Sequence, residues 1–62
     1  MDEKDISLTA RKMIELFGSD AEIVAAGRAE LLATDDKIEE SLAWERIASV
    51  ICELQNKAAS NR

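Results

Sequence analysis

The chain has 62 residues, with 13 acidic against 8 basic side chains for a net charge of -5, one cysteine and no histidine. That length allows one domain and one thin core, and the negative charge disfavours a phosphate backbone or an anionic membrane surface as a partner. The side chains that most often serve acid–base catalysis are almost absent, since there is no tyrosine either, so an enzyme is not expected.

Cys52 has no second cysteine with which to form an internal disulfide, and the opening residues Met1 to Ser7 lack the basic start and apolar run of a secretory signal. No apolar stretch approaches the ~20 residues that cross a bilayer. A cytoplasmic protein that neither crosses nor coats a membrane is the expectation.

Residues 1–7 carry Asp2, Glu3, Lys4 and Asp5 with only Ile6 to bury, and are expected to fray. Thr9 reads as an N-cap, with Leu8 and Met13 at the hydrophobic-staple positions around it. A first helix follows over about 10–17. Ala10, Met13, Ile14 and Phe17 form its inward face, and Gly18 supplies the left-handed residue that ends it.

Ser19-Asp20-Ala21-Glu22 fits the capping box and opens a second helix over about 20–33. Ala21, Ala25, Ala29 and Ala33 recur every four residues, a small-residue row along which a neighbouring backbone comes close. Thr34, Asp35 and Asp36 are all N-cap types and mark the turn into a third helix over about 36–58, leaving 59–62 to fray. Its stripe, Trp44, Ile47, Val50, Ile51, Leu54 and Ala58, lines one face, with Trp44 expected to be largely buried. The fold class is therefore all-α: a small three-helix bundle, helix 3 the longest, in a single domain over 1–62.

Few residues remain for chemistry. Cys52 would act as a nucleophile only beside a base or a positive dipole, and its place in the C-terminal half of a helix next to Glu53 supplies neither. Asp35, Asp36, Glu39 and Glu40 lack the alternating ligand spacing and turn glycine of a calcium loop, and carboxylates at a helix start have an ordinary reason in the helix dipole. No metal, cofactor or catalytic residue is assigned. A helix-turn-helix reading of helices 2 and 3 fails on charge, because helix 3 carries Glu39, Glu40, Glu45 and Glu53 against Lys37, Arg46 and Lys57.

Two placements do not fit a plain monomeric bundle. Arg28 falls among Val24, Leu31 and Leu32 on the apolar face of helix 2, where a guanidinium needs Glu15, Glu45 or Glu53 as a partner, a snorkelling exit to water, or an anion or partner to bind. Ile38 and Leu42 lie roughly 140° to 170° around helix 3 from its main stripe. Either the helix bends near Ser41 and folds them under Leu31 and Leu32, or they form an association surface.

Leu8-Thr9-Ala10-Arg11, Ile14-Glu15, Gly18-x-Asp20-Ala21, Arg28-Ala29 with Leu31-Leu32, Trp44-x-Arg46-Ile47 and Ile51-x-Glu53-Leu54-Gln55 together resemble a group of short bacterial helical proteins of no known activity. The resemblance spans roughly residues 8 to 55. It implies a small helical fold and no activity; Thr34 stands where such proteins commonly carry a glycine at the end of helix 2.

These readings lead to a non-enzymatic helical protein with a structural or protein-binding role that self-associates as a homodimer. About 22 residues of helix 3 extend ~33 Å and have only two shorter helices to cover them. The alternative is an acidic regulatory accessory, antitoxin-like or a nucleic-acid mimic, that binds a basic protein partner.

Overall fold

Ile6, Ala10 and Met13 occupy positions i, i+4 and i+7 of one helical face, and in the computed structural model all three are buried on a first helix, α1, spanning Glu3–Phe17. The structure describes residues 2–60, and side chains for residues 2–57. A 3-10 turn over Gly18–Asp20 leads into α2, Ala21–Thr34, and α3 covers Ile38–Ser60. No strand occurs among the described residues, and the chain is all-α.

Helix α1 begins seven residues before the expected Ala10, so most of the segment read as frayed is helical. The cause is Ile6, which shares the phase of Ala10 and Met13 and is buried with Ile47 and Ile51 of α3. Burial of Ile6 ties the two further turns to the core, and their Glu3 and Asp5 also suit the positive end of the helix dipole. Asp2, in extended conformation, is the N-cap, and its carbonyl accepts the first helical bond from the Ile6 N–H at 3.0 Å. Thr9 is thus an interior residue, and Leu8 is exposed rather than stapled.

Gly18 ends α1 with its N–H bonded to the Ile14 carbonyl. Its φ of 57° is positive as the sequence predicts, but its ψ of -126° lies outside the left-handed helical region, in territory open almost only to glycine. The capping box is not formed. Ser19 lies inside the 3-10 turn, and the residue that flanks α2, Asp20, has helical angles and makes no side-chain cap bond, whereas a capping side chain works from an extended backbone.

The α2 to α3 connection is a Schellman turn. The Lys37 N–H donates to the Leu32 carbonyl at 2.8 Å and the Asp36 N–H to the Ala33 carbonyl at 3.1 Å, with Asp36 at φ 66° as the left-handed residue. The left-handed position falls two residues beyond Thr34, whose hydroxyl instead donates to the Glu30 carbonyl at 3.0 Å, so Thr34 closes α2 without needing to be glycine. Asp36 consequently caps α2 and does not begin α3. The first turn of α3 contains Glu39 and Glu40, again matched to the dipole.

Among the described residues only four large side chains, Ile6, Met13, Ile47 and Ile51, are buried; the rest of the buried apolar set is Ala10, Ala21, Ala25 and Ala29. Ile14, Val24, Trp44, Ala48, Val50 and Leu54 pack around them in part. The core is therefore thin and alanine-rich, which brings backbones close. Ala21, Ala25 and Ala29 are inward as the four-residue row predicts, while Ala33 is exposed. Phe17 and Trp44, both expected inside, are respectively exposed and only half-buried. The inward position of Ala58 and the fraying of Asn61 and Arg62 lie outside the described residues, whereas Ala59 and Ser60 are helical.

Two polar side chains on α3 fix it against the preceding elements. The buried Ser41 hydroxyl donates to the Ala29 carbonyl at 2.7 Å, and the Gln55 carboxamide donates to the Gly18 carbonyl at 2.9 Å. Because a later α3 residue meets an earlier position in the chain, α3 runs antiparallel to α2, and its far end is tied to the α1 corner.

Candidate interaction surfaces

Much of the apolar surface of this molecule is left uncovered. Of its 17 large apolar side chains outside Met1, Leu8, Leu16, Phe17, Ile23, Leu31, Ile38 and Leu42 are exposed, more than are fully buried. Single exposed apolar residues are ordinary on any protein surface, and grouping is what carries meaning.

The clearest group is at the Schellman turn. Leu31 near the end of α2 is 72% exposed, and Ile38 and Leu42, one turn apart at the start of α3, are 52% and 54% exposed. The turn holds these two helix ends together, so the three side chains belong to one end of the molecule. Ile38 and Leu42 are not folded beneath Leu31 and Leu32: Leu31 itself points to solvent, and the side of α3 that meets α2 is set by Ser41 through its bond to Ala29.

Arg28 is exposed, and its guanidinium carbon lies 5.0 Å from the centroid of the Trp44 ring. That distance is within cation–π range, and the exposed guanidinium has the exit to water that the sequence allows as the alternative to a carboxylate partner. No ion pair joins Arg28 to Glu15, Glu45 or Glu53; Lys37 pairs with Asp35 at 4.0 Å, both exposed. The physical reason is the orientation of α2. Its buried face is the alanine row, so the neighbourhood of Val24, Leu31 and Leu32 in which Arg28 sits is peripheral and needs no buried counter-charge.

Trp44 also helps to line an open groove of about 430 Å³ with Leu32, Glu39, Glu40 and Ala43. This groove was not legible beforehand, since Glu39 and Glu40 read as carboxylates placed only for the helix dipole. The i, i+4 relation of Glu40 to Trp44 was the available signal.

No group of three or more metal-ligating side chains is assembled among the described residues. Cys52 is half-buried, its sulfur accepting a 3.6 Å bond from the Asn56 carboxamide. No described helix is long and apolar enough to cross a membrane. Comparison with protein-family models, curated proteins and solved structures gives no match.

Proposed function

We propose that this protein is a small non-enzymatic binding or structural module, a three-helix bundle that self-associates as a homodimer through the Ile38 and Leu42 face of α3. The observation that carries this reading is the exposure of both side chains together with Leu31 at the same end of the molecule. A core with four large buried residues leaves little margin over chain entropy, and a second copy of the same apolar end is the partner always present at matching concentration. Two-fold symmetry places each Leu42 against the other copy without any new surface.

Salt dependence tests this reading against a polar association. Light scattering on the intact chain is expected to give a dimer mass at low salt and the same mass at high salt, because apolar contact does not weaken as ions are added. Dissociation on adding salt would show instead that charge holds the copies together.

A further inference from the structure

We propose that the groove at the start of α3 takes up a basic side chain, arginine or lysine, from an exposed segment of another protein. Its walls suit such a side chain along its whole length. Leu32, Ala43 and the Trp44 ring offer apolar surface to an aliphatic stem, and Glu39 and Glu40 line the same groove as acceptors for the charged head. Neither carboxylate has an ion-pair partner among the described residues, because Lys37, the cation nearest in the chain, pairs with Asp35. Asp36 adds to the negative potential of this end, Asp35 being offset by Lys37, within a chain whose net charge is -5.

The molecule already contains the chemistry in question. Arg28 of the same chain holds its guanidinium 5.0 Å from the Trp44 centroid, so the indole is already engaged by a cation, and the charged head of an incoming side chain falls to Glu39 and Glu40 while the ring edge meets only its stem. Together these features match an amphipathic cation and disfavour an acidic or purely apolar occupant. The groove residues differ from Ile38 and Leu42, so this proposal goes beyond self-association and either can fail alone.

The test titrates the intact chain with an acetylated, amidated hexapeptide of alternating arginine and alanine, followed by the fluorescence of Trp44, the single tryptophan, and by backbone amide NMR shifts. The expected result is saturable binding with the largest shifts at Leu32, Glu39, Glu40, Ala43 and Trp44, and none with the corresponding glutamate peptide. The pair Glu39→Gln and Glu40→Gln should weaken binding by about fivefold or more, as expected when charges at the contact itself are removed. The pair Glu15→Gln and Glu22→Gln changes the net charge equally at exposed sites on α1 and α2, and should weaken it by less than about twofold once salt screens distant charges. Circular dichroism establishes that both pairs keep their helix content; if the groove pair does not fold, the shift map on the unmodified chain decides. Equal weakening by both pairs, shifts spread over the acidic surface, or no saturable binding at millimolar peptide overturns the proposal.

Discussion

The Ser41 hydroxyl is buried against α2 and donates a 2.7 Å hydrogen bond to the Ala29 carbonyl. Ser41 thereby sets how the first turns of α3 are rotated, and that rotation turns Ile38 and Leu42 outward. Ser41→Ala should cost about 1 kcal/mol, since the Ala29 carbonyl keeps its place in the helix ladder and only one further bond is lost. Ser41→Leu should cost more, about 1–3 kcal/mol, because a larger side chain at this buried position displaces α3 from the Ala29 backbone that the hydroxyl contacts. Urea unfolding followed by circular dichroism measures both.

Backbone geometry gives a pair of opposite effects at the two turns. Asp36 pays a steric penalty at φ 66°, so Asp36→Gly should stabilise the fold by about 0.5–1 kcal/mol. Gly18 has open space where a Cβ would go, yet its angles are strained for any other residue, and Gly18→Ala should destabilise by about 1–3 kcal/mol. Thermal melts of the two variants should move in opposite directions.

Ser19 makes no cap, so Ser19→Ala is expected to leave stability within about 0.5 kcal/mol of the unmodified chain, well under the ~1 kcal/mol of a lost capping box. A melting temperature lowered by several degrees would restore Ser19 as the helix start.

The cation–π contact predicts a spectroscopic change. Arg28→Ala should expose the Trp44 ring, shift its emission to the red and cost about 0.5–1 kcal/mol, the range for a contact at an exposed site. Arg28→Lys should recover part of both, since an ammonium retains the attraction without the planar stacking.

Burial divides the isoleucines sharply. Ile47 and Ile51 have no exposed surface and Ile23 is 72% exposed, so Ile47→Ala or Ile51→Ala should cost about 2–5 kcal/mol. Ile23→Ala should cost no more than about 0.5 kcal/mol, and equal losses at all three positions would contradict the packing described.

Helix existence was legible because long amphipathic segments announce themselves by spacing, as Ile47, Ile51 and Leu54 do on α3 and Ala21, Ala25 and Ala29 do on α2. The start of α1 was not, because a lone Ile6 among charges gives no local period, and its helix is held by contact with α3. The facing of α2 misled for a different reason: it is apolar nearly all round, and its large residues Ile23 and Leu31 are outside while its alanines are inside. Of the candidate interaction surfaces, Ile38 and Leu42 are visible in the sequence as a misfit in phase. The rotation that exposes them is not, since it depends on Ser41 meeting Ala29, and Ser41, Ala48 and Gln55 repeat at seven-residue spacing along α3 as a row too small and polar to register as a packing stripe.

Sedimentation equilibrium of the unmodified chain beside Leu42→Glu tests self-association most directly. The unmodified chain should sediment as a dimer of its 6.8 kDa subunit, and Leu42→Glu as a monomer that keeps its helical circular dichroism, because Leu42 is exposed within the subunit and a charge there harms only the contact between copies. A monomer mass for the unmodified chain at high micromolar concentration would contradict the account.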